Sequence, residues 1–153
     1  MQNARRTYEA IRLPRWLRWT VYVASAALFI TGALWLVVHY GLRKGPDDFP
    51  HPTEPWILRV HGLATMVGLF LYGSLLRAHM INAWKLGRNR FTGACIAAGL
   101  VLLTATGYLL YYAGGETARP IISIAHWAAG LALGALLPLH IWQGRRSAGA
   151  SSS

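Results

Sequence analysis

Apolar residues are gathered into four long blocks, and the polar residues fall almost wholly between them. The blocks run over about residues 19–40, 56–84, 91–113 and 120–143. Each holds the roughly 20 apolar residues that a helix needs to cross a bilayer. Between the first two lies a stretch rich in helix breakers: Gly45, Pro46, Pro50, Pro52 and Pro55. A short basic loop separates the second block from the third. A Gly-Gly turn at Gly114 and Gly115 separates the third from the fourth. The pattern predicts an all-α integral membrane four-helix bundle. A basic segment over residues 1–18 precedes it, and a small polar tail over residues 144–153 is expected to be disordered. The first block is too long for a signal-peptide core and is read as a retained helix.

Composition agrees with this solvent. Hydrophobic residues make up 54% of the 153-residue chain and charged residues 13%, against about a quarter charged in soluble domains. The formal charge of +10 gains meaning from its distribution. Arg5, Arg6, Arg12, Arg15, Arg18, Lys85, Arg88, Arg90, Arg145 and Arg146 would share one side of the membrane. Lys and Arg collect on the cytoplasmic side, so both termini are expected there. Trp16, Trp19, Trp56, Trp84 and Trp142 fall near the span ends, as an aromatic belt would. Basic residues split among span ends suit lipid contact and weigh against a nucleic-acid site. The single cysteine, Cys95, allows no intrachain disulfide, and no Cys-x-x-Cys-His haem attachment motif occurs.

Six histidines remain: His39, His51, His61, His79, His126 and His140. Four lie within the second and fourth blocks, where ionisable residues are rare and usually functional. His61 and His79 are 18 residues apart, which in an α-helix is five whole turns and one face. His126 and His140 are 14 apart and also share a face. The second and fourth spans would run in the same direction, so His61 would share a level with His126, and His79 with His140. The rise is about 27 Å for the first pair and about 21 Å for the second, so a tilt or a bend is needed to keep both levels. Pro138, two residues before His140, is a place for one.

Two imidazoles at each of two depths suit haem iron, which takes one axial ligand above the macrocycle and one below. Glycines stand at matching levels. Gly93 and Gly107, 14 residues apart on the third span, could give a flat ring access to the backbone, and Gly68 and Gly130 lie near the histidine faces. Small residues also serve ordinary helix packing in membranes.

With its pairs Arg59-Val60-His61-Gly62 and Arg77-Ala78-His79, Ala125-His126-Trp127 and Leu139-His140, the chain resembles the small di-haem b-type cytochromes of bacterial inner membranes. Some of these are membrane subunits of nitrate reductase, formate dehydrogenase or hydrogenase; others stand alone, like the bacterial superoxide-oxidising cytochrome. The resemblance covers the four spans. It implies two bis-histidine b haems on His61, His126, His79 and His140, a quinone site, and a periplasmic or membrane redox partner.

Other polar residues leave alternatives open. Arg59 and Arg77 each stand two residues before a histidine. They suit haem propionates, or snorkelling to lipid headgroups. His39 suits a quinone or propionate hydrogen bond, or a plain interfacial position. All five acids fall outside the predicted spans, which weighs against proton-coupled transport. Three functions fit the chain. It could be an electron-transfer subunit, a stand-alone quinone-coupled enzyme, or a haem-free scaffold.

Overall fold

The structure, a computed structural model, describes residues 14–42, 49–85 and 90–149, without the side chains of residues 77–79, 83, 85, 145 and 147–149. Every regular element among these residues is helical. Helix α1 spans Arg15–Leu36 and runs into a π-helical turn, Val37–Gly41. Helix α2 spans Glu54–Leu75 and runs into a second π segment, Leu76–Ile81, then a short α3, Asn82–Lys85. Helix α4 spans Arg90–Tyr112 and α5 spans Ala118–Gly149. Four of these helices are long and apolar enough to cross a membrane: Arg15–Gly41, Glu54–Leu75, Arg90–Tyr112 and Ala118–Gly144. This is a multi-pass membrane protein by length and composition.

Local chemistry sets the helix ends. Pro14, at φ −55° and ψ 149°, is extended and leaves its carbonyl to accept from Arg18 N–H at 3.1 Å. The α2 entry is built by a tight turn in which Glu54 N–H donates to the His51 carbonyl at 2.9 Å, and Pro55 sits where a missing N–H is harmless. Between α4 and α5 the chain reverses at Gly115, whose φ of +112° suits glycine. Pro138 lies inside α5 and leaves the Gly134 carbonyl without its usual helical donor. Helix α5 continues to Gly149, past the predicted span end at 143; residues 150–153 of the expected disordered tail, and the N-terminal segment up to residue 13, lie outside the described residues.

The chain forms two units, residues 1–85 and 86–153. In the first, α1 packs against α2; in the second, α4 packs against α5. Within each unit the contacts run in opposite directions along the two helices, so each is an antiparallel helical hairpin. No large side chain among the described residues is fully buried, and apolar side chains such as Phe70, 77% exposed, cover the outside. In water such a surface would be an aggregation hazard. In a bilayer, lipid tails cover it, and helices must pair through small residues and hydrogen bonds instead.

Two differences from the sequence reading matter for the site. Glu54, expected in the loop, is the first residue of α2 and only 5% exposed. The whole-turn count from His61 to His79 also assumes α geometry throughout. The π segment Leu76–Ile81 contains His79, and a π turn takes more residues than an α turn. Eighteen residues there make fewer than five turns.

Candidate functional site: three threonine-held histidines

Threonine is awkward inside a membrane helix because its hydroxyl must find an acceptor. The usual solution is the helix's own carbonyl four residues back. Thr31 does this with the Ala27 carbonyl at 2.6 Å, and Thr106 with the Leu102 carbonyl at 2.7 Å. A hydroxyl has one hydrogen to donate. With it directed at a carbonyl, the oxygen is left as an acceptor.

In both cases that acceptor faces a histidine of the partner helix. Thr31 Oγ1 lies 2.8 Å from His61 Nδ1, and Thr106 Oγ1 lies 2.9 Å from His126 Nδ1. Thr92 repeats the arrangement with a different acceptor. It donates to Gln143 Oε1 at 3.3 Å and stands 2.8 Å from His140 Nδ1. Thr92 and Thr106 are buried polar groups at 9% and 6% exposure, so these contacts carry weight. Where the threonine hydrogen is spent on the helix's own carbonyl, at Thr31 and Thr106, the arrangement suits an imidazole that carries its ring proton on Nδ1. The lone pair is then on Nε2, the form in which a histidine ligates a metal.

A glycine follows each threonine. A Cβ on Gly32 would stand 3.6 Å from His61 Cε1; on Gly93, 3.8 Å from His140 Cε1; on Gly107, 3.3 Å from His126 Cε1. These glycines give the partner helix's imidazole room to lie close against the backbone, most tightly at Gly107. Gly68 and Gly130 meet Leu28 and Leu103 instead, as ordinary packing would have it. The chain contains three Thr-Gly pairs, and every one faces a histidine.

The geometry of the second unit is regular. Thr92 and Thr106 are 14 residues apart, as are His126 and His140. Midway between them Gly99 meets Leu133. Each module therefore lies two turns, about 10.5 Å, from the Gly99–Leu133 contact. In the first unit the same stride from His61 and Thr31 reaches Leu75 and Leu17, not a second module.

At the other end of the first unit a separate polar cluster forms. His39 Nδ1 lies 3.0 Å from Glu54 Oε2, and His51 N–H donates to Glu54 Oε1 at 3.1 Å. Trp35 stacks on His39 with ring centroids 4.4 Å apart and planes 16° apart.

Of the remaining sequence candidates, Arg59 is exposed and lies over the Trp56 ring at 4.5 Å. That is an interfacial arrangement. The side chains of Arg77 and His79 lie outside the described residues. Sequence reasoning named His61, His126, His140, Gly93 and Gly107, but missed Thr31, Gly32, Thr92 and Thr106. The repeated Thr-Gly pair, level with the histidines, was the available signal. Two buried indole nitrogens, Trp35 Nε1 and Trp127 Nε1, have no hydrogen-bond acceptor among the described residues. Nor do three or more His, Cys, Asp or Glu side chains converge there in a way that could hold a metal ion. No protein-family model matches the chain, and neither a curated protein nor a solved structure is significantly similar to it.

Proposed function

We propose that the chain is a membrane electron-transfer protein that holds two b-type haems through bis-histidine ligation. His61 and His126 would hold one, and His79 and His140 the other. The observation that carries this reading is the threefold Thr-Gly module. Three histidines are oriented alike, each with Nδ1 on a threonine and the ring beside a glycine. A metal held entirely by side chains would need more converging ligands than the described residues supply. A haem brings four nitrogens of its own and asks the protein for two.

When bound, a haem supplies a one-electron carrier whose potential responds to ligand basicity and surrounding polarity. The chain's own residues do the rest. Thr31, Thr92 and Thr106 hold the orientation of the imidazoles. The lipid-covered helices keep water from the site. The indoles of Trp35 and Trp127, without a hydrogen-bond acceptor among the described residues, are donors suited to an added acceptor. Two such centres at different depths would carry electrons across a bacterial inner membrane, between a quinone pool and a periplasmic or membrane redox protein. The short loops leave no room for a catalytic head, so the chain is read as a subunit or redox mate of a larger oxidoreductase.

The test is a reduced-minus-oxidised absorption spectrum of the detergent-purified protein, with haem quantified as its pyridine complex. Two b haems per chain are expected. One haem would restrict the reading to a single centre. None, after expression with ample haem, would end it.

A further inference from the structure

A threonine hydroxyl inside a helix has two roles to fill, one as donor and one as acceptor. Thr31 fills the first with carbonyls of its own helix, Ala27 at 2.6 Å and Leu28 at 3.2 Å. Thr106 does the same with Leu102 at 2.7 Å and Leu103 at 3.3 Å. Both hydroxyl hydrogens are therefore directed along their own helices. Both oxygens face an imidazole Nδ1, that of His61 at 2.8 Å and that of His126 at 2.9 Å. An oxygen with no hydrogen left to give accepts. The result is a short chain of hydrogen bonds, from imidazole N–H to hydroxyl to backbone carbonyl.

Such a chain is cooperative. A hydroxyl that donates is a better acceptor, and a low local dielectric strengthens each link. Thr106 is buried and Thr31 part-buried, both inside membrane-length helices. An N–H drawn toward an acceptor leaves more electron density on the far ring nitrogen, which makes Nε2 the stronger donor to a metal. Neither hydroxyl needs to be the sole partner of its ring. The Leu28 carbonyl also bonds the His61 ring, so Thr31 adds to a backbone acceptor there.

We infer that Thr31 and Thr106 are positioning residues with an electronic effect: each strengthens the Nε2 donor of its histidine and so lowers the reduction potential of the centre that histidine binds. This rests on the proposed haem ligation. A stronger donor favours the oxidised, more positively charged iron, so the bond that orients the ring also makes the centre harder to reduce. No proton is taken up or released, because the ring hydrogen stays on Nδ1 in both redox states.

The test is a potentiometric titration of the haem-loaded full chain at one fixed pH, wild type beside Thr31→Val, Thr106→Val and the matching serine variants. Valine keeps the branched shape and removes the acceptor; serine keeps the acceptor and removes the methyl group. In each valine variant the midpoint of one haem should rise, by up to about tenfold in the reduction equilibrium, or about 59 mV for a one-electron couple. The same haem should respond to both, because His61 and His126 share a centre in the proposed reading. Thr92→Val, beside His140, should leave that haem in place. The serine variants should return to the wild-type value. NMR of the haem-free full chain, labelled with 15N in histidine, gives a readout that needs no haem: His61 and His126 should carry the ring proton on Nδ1, with Nε2 unprotonated. Midpoints unmoved in both valine variants overturn the inference and leave the haem reading intact. Serine variants that shift as far as the valine variants also overturn it, because the hydroxyl is then not the cause. So does a ring proton on Nε2 in the haem-free chain. Shifts that fall on two different haems uphold the tuning and overturn the pairing of His61 with His126. A wild type without haem overturns the functional reading, and this inference with it.

Discussion

The two hairpins of this chain use the same contact for different ends. In the α4–α5 unit, the Thr-Gly and histidine module occurs twice, placed evenly about the Gly99–Leu133 crossing. In the α1–α2 unit it occurs once, as Thr31, Gly32 and His61. The stride that would bring a second copy meets Leu17 and Leu75. Both ends of that hairpin's interface are instead marked by π segments, Val37–Gly41 and Leu76–Ile81. One of them carries His39, whose Nδ1 lies 3.0 Å from Glu54 Oε2. Regularity follows from a seven-residue stride maintained on two α-helices without a π segment, because positions seven apart return to nearly the same face. A π turn interrupts that return. The α4–α5 unit therefore reads as a double holder, and the α1–α2 unit as a single holder with a His39–Glu54 contact at one end.

Three sets of substitutions would break or sharpen this contrast. The largest effect is expected from His126→Ala on the proposed reading. Haem per chain should drop from two to one by pyridine assay, whereas His39→Ala should leave two. Unchanged stoichiometry in His126→Ala would remove that histidine from the ligand set.

A smaller effect should come from the crossing itself. A Cβ on Gly99 would stand 2.9 Å from Leu133 Cδ1 and 3.1 Å from its Cγ, so Gly99→Ala should cost about 1–3 kcal/mol through overpacking. Gly68→Ala in the other hairpin, at 3.4 Å from Leu28 Cδ1, should cost under about 1 kcal/mol. Thermal unfolding in detergent compares them, and equal losses would contradict a tighter second hairpin.

Smallest of the three is the hydroxyl. Thr106→Val and Thr31→Val each remove the acceptor of an imidazole N–H and should cost about 1–2 kcal/mol. Thr106→Ser and Thr31→Ser should recover most of it. Serine variants no better than valine would show that the methyl group, and not the hydrogen bond, holds the ring.

Much of the architecture was legible without coordinates. A bilayer admits few spanning structures, and a helix that satisfies its own backbone is the simplest; long apolar blocks therefore name their own helices. Histidines inside such blocks announce themselves by their cost. The threonines did not, because a threonine bonded to its own helix looks the same in sequence whether or not a neighbour uses its second lone pair. Gly93 and Gly107 were singled out as clearance for a flat ring, and in the structure the rings they clear are the imidazoles of His140 and His126. The His39–Glu54 pair was hidden by distance, its members being 15 residues apart across a proline-rich loop.

The sequence by itself determined that the chain is helical, that four helices can span a membrane, and that His61, His126 and His140 lie within them, whereas His79 falls beyond the second span. These follow from solvent and periodicity, which act on each segment alone. Only the tertiary structure decided which threonine meets which histidine, that Glu54 is buried at a helix start, and that π segments close both ends of the first hairpin's helices. Those depend on the register between two packed helices, and register is a property of the pair.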